Sequence, residues 1–513
     1  MNRLKVLLAL IIIIFVGVSC TPDTGSVPDN VDDFVAAYET NLEKFETAYK
    51  LKLWEFRDNP TSDSLKIYRS ALNSFLADPR VTGNIDQLRL SLKDEILSRK
   101  LDMIYARSLL EQIETEPDIA ALKDSLRTII YNADRAGREN DYIYDIGRDL
   151  LRSEYLIENN SGNLYGDAFL SLIRKRNIAA RRFGYKSYYS LVLKMENLTA
   201  VYIDSMCEQM LSKTDSAFRA GLGRASSPGQ RNPGLFSYRP GVRNFISVSL
   251  EQPAQNRIIR ETCKSIGFDI DKMPLYYFFA DSGITGPMET FLIYIPDDIR
   301  IAAATFPALG SVEGLMEYSG LALYAASIDQ KDYLFRQPST TVWTAAVRHI
   351  FGRLIFEPAF LKNYLGVEDQ SLNNWRNFRE YYSLVKLRYM LFCTMLEKEL
   401  YTGSIPDFDK YYSELYNRVF FNTAPVEMKA HLVALYDAKY PIVTHSKLLG
   451  MLVAGQVYRH MRTTNDEIIG NPATRHYLTQ NCFRYGARYD WRELLKWATG
   501  EDLKYEYYLD FND

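Results

Sequence analysis

The chain has no surplus of positive charge. Its 61 lysines and arginines are set against 64 acidic residues, a formal net charge of −3. Without a cationic excess there is little to displace counterions from a phosphate backbone, so nucleic acid is not an expected partner. Cysteine is scarce, five in 513 residues. Cys207, Cys263, Cys393 and Cys482 stand far apart with no CxxC pair among them, which leaves buried thiols as the expected state. Histidine is equally rare, five in all, and the first is His349. A GxSxG elbow, a P-loop and a dinucleotide fingerprint are all missing. What remains is 47% apolar and 24% charged, enough to bury a large core and too apolar for a disordered chain.

The N-terminus carries an address. Arg3 and Lys5 precede an apolar run from Val6 to Val18, too short to cross a bilayer comfortably as a helix with polar flanks. The run ends in Gly17-Val18-Ser19-Cys20, a small residue directly before a cysteine. Residues 1–19 resemble a bacterial lipoprotein signal, which implies cleavage before Cys20 and lipid on its thiol. Residues 20–31 are rich in Pro, Gly and Asp and read as a flexible tether. The expected location is the bacterial cell envelope, periplasmic or surface-facing, held to a membrane through Cys20.

Beyond the tether, apolar residues recur at three- and four-residue steps, as in Phe34, Tyr38, Leu42 and Phe45. Such helical patterning fills 31–161 and 171–198, with Gly184 closing one helix before Tyr185–Tyr189 opens the next. Gly221 to Gly241, with Pro228, Pro233 and Pro240, reads as a long loop. Strand-like runs occur at Tyr276–Phe279 and Phe291–Pro296, and from Ile299 onward a return to helix is expected. The 37 tyrosines read chiefly as core bodies with wet hydroxyls.

Three segments, taken together, carry a resemblance. RNIAARRFGYKSYYSLVLKMENL joins two helices through a Gly-Tyr step. GPMETFLIYIPDDIRIAAATFPALGSVEGLMEYSGLALYAAS runs from a ribbon into an apolar helix. FRYGARYDWRELLKWATGEDLKYEYYLDF closes the chain. In order and spacing they resemble the angiotensin-converting-enzyme and oligopeptidase group of zinc peptidases, the M2/M3 gluzincins. The resemblance implies a mainly α, two-lobed metallopeptidase-like fold with a deep central cleft and a small β-ribbon. It also implies a single domain over 32–513, with interleaved lobes of roughly 32–270 and 271–513.

That chemistry needs two histidines one helical turn apart, a Glu beside the first to polarise metal-bound water, and a third ligand on the next helix. In the matching register this chain reads Met316-Glu317-Tyr318-Ser319-Gly320. Met316 and Gly320 replace the histidines, and only the general-base position, Glu317, matches. Reading Glu313 as the base puts Val312 and Met316 at the ligand positions. The resemblance places the third ligand at Thr344 and a supporting acid at Arg348, where a cation stands instead. Lys439 and Tyr440 fall where the family grips a substrate carboxylate, and the segment THSKLLGMLVAGQ lacks the family's oxyanion tyrosines. No catalytic residue and no zinc are therefore expected.

Glu317 is open to two readings: an ion pair with Arg348 that replaces the metal, or a contact to a bound ligand. Lys439 is open likewise to a peptide carboxylate or to solvation. His349 and Glu357 lie two turns apart, a weak metal pair, and His445 and His460 are too far apart to share an ion. Three functions follow: a pseudopeptidase that binds a peptide or protein in its cleft, a hydrolase with an unrelated nucleophile, or a structural envelope protein.

Overall fold

The computed structural model describes residues 30–57, 59, 62–135, 162–225, 246–279, 288–303, 305, 307–403, 408–421, 441–465 and 467–509. Cys20, most of the tether, Lys439 and Tyr440 lie outside the described residues.

The chain opens with α1 (Val31–Glu55), α2 (Asp63–Leu76), α3 (Pro79–Leu88), α4 (Glu95–Glu114) and α5 (Pro117–Arg135). Capping residues mark several starts. Asn30 accepts from the Asp32 amide, Asp94 accepts from the amides of Ile96 and Leu97, and Pro79 sits in the first turn of α3 behind Asp78. Glu39 takes the Lys100 ammonium at 2.9 Å, and Glu46 pairs with Arg107. The same offset at both points means that α1 and α4 run side by side in the same direction. Their apolar faces close a small core with Leu72, Leu76 and Ile85.

Next come α6 (Gly162–Arg182), α7 (Tyr188–Met195), α8 (Ala200–Ala225) and α9 (Gln252–Ser265). Gly184, at φ 83°, makes the left-handed turn between α6 and α7, and Ser187 with Ser190 forms a capping box. The loop expected from Gly221 does not begin there, because α8 continues to Ala225; its remaining span from 226 lies outside the described residues. A Cβ at Gly221 would stand 2.6 Å from the Tyr381 ring, so this glycine serves close packing rather than helix breaking.

A three-stranded sheet follows: β1 (Leu275–Phe279), β2 (Glu289–Tyr294) and β3 (Asp298–Ala303), in the order β1-β3-β2. β1 is parallel to β3, and β2 is antiparallel to it. The third strand corrects the helix expected from Ile299. Ile299, Ile301 and Ala303 alternate inward, a period of two, and helix resumes only at Leu309.

The remaining helices are α10 (Leu309–Ala326), α11 (Tyr333–Arg336), α12 (Thr341–Arg353), α13 (Pro358–Leu365), α14 (Leu372–Thr402), α15 (Phe408–Phe420), α16 (Thr444–Asn465), α17 (Ala473–Leu478) and α18 (Trp491–Thr499). The large apolar core runs from Leu109 to Tyr508 and draws on residues either side of position 270. Its centre is the stack of α12 on α10 and α16. Cys207, Cys263, Cys393 and Cys482 are buried thiols, none in a disulfide. Burial pushes Cys207 and Cys263 up to about 12, so neither is a reactive thiolate.

Two glycine-to-alanine changes have opposite expected outcomes. At Gly450 in α16 a Cβ would stand 2.6 Å from the Ala345 Cβ and 2.7 Å from the Val342 carbonyl. Gly450→Ala must push α12 from α16 and costs about 1–3 kcal/mol. At Gly83 in α3 nothing lies within 4 Å of the added methyl. Gly83→Ala is neutral or stabilises by up to about 1 kcal/mol. Urea unfolding of both variants beside the wild type checks the pair.

Candidate functional site

The site is built on α10, where 14 of 18 residues are buried. Two of them are acids, Glu313 and Glu317, four apart and so on one face. Buried carboxylates must be neutralised by protons or by cations. Two other helices supply the cations. From α12, Arg348 Nη2 donates to Glu317 Oε2 at 2.8 Å, and His349 Nδ1 lies 3.6 Å from Glu317 Oε1. From α14, the Lys386 ammonium lies 2.9 Å from Glu313 Oε1 and 3.6 Å from Glu317 Oε1. The Tyr382 hydroxyl donates to the other oxygen of Glu313. The Arg348 guanidinium also lies over the Tyr318 ring, 4.4 Å from its centroid.

Charge is divided unequally between the two acids. Burial opposes ionisation of Glu317, but Lys386, Arg348 and His349 outweigh it and hold this carboxyl well below the usual range. Burial dominates at Glu313 and raises it; Lys386 offsets this in part, and the neighbouring Glu317 charge adds to the rise. Burial also lowers His349, opposed by its interaction with Glu317. Glu317 is therefore the more acidic of the two carboxyls, with Arg348 and Lys386 beside it.

The geometry bears directly on a metal at this place. The Met316 thioether is fully buried within the apolar core. A Cβ at Gly320 would meet the Phe351 ring at 2.5 Å, so an aromatic ring fills the space beside it. The Thr344 hydroxyl donates to the carbonyls of Thr340 and Thr341 on its own helix, at 3.0 and 3.1 Å. Arg348 brings positive charge to Glu317, and Lys386 brings it to both Glu313 and Glu317. These residues do not fit a divalent cation, which needs several unencumbered anionic or imidazole donors. Among the described residues, no three His, Cys, Asp or Glu side chains are grouped so as to hold one.

Sequence reasoning had paired Arg348 with Glu317 as one alternative, and the structure brings them together. It missed Lys386, which reaches the site from a helix about 70 positions further on, and Tyr382 beside it. No local pattern announces either residue. The spacing of Glu313 and Glu317 was the one visible signal of a shared acidic face.

Other candidate pairs resolve differently. Glu357 receives the Tyr458 hydroxyl and Arg462, the latter at 2.6 Å, and has no contact with His349. His445 and His460 share α16, but His445 Nε2 meets Glu196 at 2.6 Å while His460 packs on Tyr477. Ser446 donates to Glu196 at 2.8 Å and lies 3.1 Å from the same His445 Nε2. In a catalytic triad the acid and the hydroxyl meet opposite ring nitrogens. Here both meet one, His445 Nδ1 has no hydrogen-bond partner, and both His445 and Ser446 are fully buried.

Solved structures match this chain over nearly its whole length. Trypanosoma cruzi metallocarboxypeptidase 1 aligns with a TM-score of 0.68 at 13% identity, covering 93% of this chain and 97% of that one. The M32 carboxypeptidase of Deinococcus radiodurans R1 gives 0.65 at 13%, over 94% and 98%. Pyrococcus furiosus carboxypeptidase gives 0.65 at 14%, again over 94% and 98%. The fold is that of a helical metallocarboxypeptidase. No family model matches the sequence, and no curated protein matches it significantly. The expected mainly α, metallopeptidase-like architecture with a small sheet is thus present, and one of the named structures, that from Deinococcus radiodurans R1, bears the M32 label.

Within this fold the Glu317 cluster has a measurable pH signature. The folded value of Glu317 lies below its ordinary 4.5. Its pairing therefore stabilises fully above that range and is lost as pH falls through the folded value. Arg348→Met leaves a buried charge short of one partner and should cost about 3 kcal/mol at pH 7. The deficit relative to wild type should shrink as pH falls below 4.5. Urea midpoints across pH 3–8, roughly the span in which carboxylates and histidine titrate, check both the size and the trend.

Proposed function

We propose that this chain is a lipid-anchored, catalytically inactive metallopeptidase homologue, which binds a peptide or protein in the cleft of its fold. The observation that carries the reading is the engagement of Glu317 by Arg348 and Lys386. A carboxylate that must polarise water needs a free lone pair and a water of lowered pKa beside it. Here its oxygens are committed to cations, and the ligand positions hold Met316, Gly320 and Thr344. A lone Glu does not supply the roughly 8 kcal/mol or more by which enzymes lower barriers. The degenerate gluzincin reading from the sequence and the carboxypeptidase-like fold both support this proposal.

The anchor is the other half of the reading, and the lipoprotein-like stretch ending at Cys20 supports it. Among the described residues no helix is long and apolar enough to cross a membrane. Peptide ligands are proposed because a metallopeptidase-like scaffold offers a cleft for an extended chain. Lys439 and Tyr440 remain the proposed contacts for its carboxylate.

The purified chain should carry well under 0.1 equivalent of zinc, on the order of contamination for a site of this donor set. It should leave a panel of short peptides intact with or without added metal. Mass spectrometry and a peptide-cleavage assay decide it. About one equivalent of tightly held zinc, with cleavage abolished by Glu317→Gln, would overturn the reading. A saturable peptide affinity that is indifferent to chelator, and weaker in Lys439→Ala, would support the binding role.

A further inference from the structure

We infer that the end of the molecule around the start of α4, with Leu90 and Ile96 outermost, lies against the membrane that holds the Cys20 lipid. The inference rests on the anchored reading of Cys20 and adds an orientation to it.

The geometry comes from two ion pairs. Glu39 meets Lys100 and Glu46 meets Arg107, a constant offset of 61 positions. Carried back along both helices, that register sets Phe34, in the first turn of α1, level with Glu95, the first residue of α4. The N-termini of α1 and α4 therefore emerge together at one end. The tether joins there: ten steps separate Cys20 from Asn30, a span of at most ~35 Å at ~3.5 Å per residue. A lipid on Cys20 keeps this end near the bilayer.

The side chains at this end sort into two sets. Val31, Phe34, Leu88, Leu92 and Leu97 turn into the small core. Leu90 is 89% exposed and Ile96 is 45% exposed. An apolar pair on opposite sides of the α4 cap is costly in water and is satisfied by shallow contact with lipid. The exposed charges nearby are mainly acidic: Asp32, Asp33, Asp94 and Glu95 against Lys93. Such a face is not drawn to anionic lipid. The occupant is therefore a neutral, zwitterionic bilayer surface, held by the anchor and touched by Leu90 and Ile96, with contact insensitive to salt.

The test uses the full acylated chain on phosphatidylcholine vesicles. An environment-sensitive fluorophore is placed at Leu90→Cys or, as a control, at Ile67→Cys. Ile67 is 64% exposed on α2. Phe75 of the same helix packs on Tyr38 and Phe45 of α1, and the antiparallel course of α2 carries Ile67 towards the far end of the bundle. Quenching by spin-labelled lipid is expected to be at least threefold stronger at position 90 than at 67, unchanged by salt. An unlabelled Leu90→Ser chain of wild-type thermal stability should still bind vesicles, which separates contact from anchoring. A vesicle-bound, acylated chain with equal quenching at the two positions overturns the orientation alone. A chain with no lipid on Cys20 overturns the anchored reading and the orientation with it.

Discussion

One buried negative charge governs the middle of this molecule. Glu317 is 2% exposed, and a carboxylate so far from water is tolerable only when positive charge surrounds it. Arg348 from α12 and Lys386 from α14 provide that charge, so three helices distant in sequence meet at one side chain. Packing serves the same contact. A Cβ at Gly352 would stand 2.9 Å from the Glu317 side chain, so only a glycine lets α12 come this close. Gly320 gives way to Phe351 one turn further along α10. Charge pairing and small-residue packing are thus parts of one constraint on how α10 and α12 lie together.

The same constraint bears on chemistry. Under the proposed function, a helical metallopeptidase-like fold is kept while side-chain cations take the place of a metal, because a buried carboxylate requires nearby positive charge whatever its source. Two side-chain cations meet the electrostatic need without offering an open coordination position or an activated water. Under the proposed function, binding in the cleft survives this exchange and hydrolysis does not. Glu313 fits that picture. Burial and the neighbouring Glu317 charge raise its pKa, and Lys386, shared between the two acids, offsets part of that rise.

Much of this was legible in the sequence where the signal is local. The helical period, the Gly184 turn, the apolar run around Met316 and the odd Arg348 all pointed the right way, because each depends on neighbours within a few positions. Two errors came from the same dependence. Asp298–Ala303 alternates with a period of two, but its small Ala302 and Ala303 blend into the helix-like stretch that follows. Gly221 looked like a breaker because its ring contact, Tyr381, lies 160 positions away in the chain. Lys386 was invisible for that reason too: a lysine on a long helix becomes an internal counter-ion only after α14 packs beside α10. The M2/M3 resemblance pointed rightly to a helical metallopeptidase-like fold, and the solved structures that align along the chain include an M32 carboxypeptidase.

The central claim is that side-chain cations, not a metal, balance Glu317. Anomalous diffraction at the zinc edge, from crystals soaked in excess zinc, reads that position directly. The account predicts no anomalous peak within coordination range of Glu317 and an Arg348–Glu317 contact still near 2.8 Å. A peak at bonding distance from Glu317, with Arg348 swung away, would contradict it.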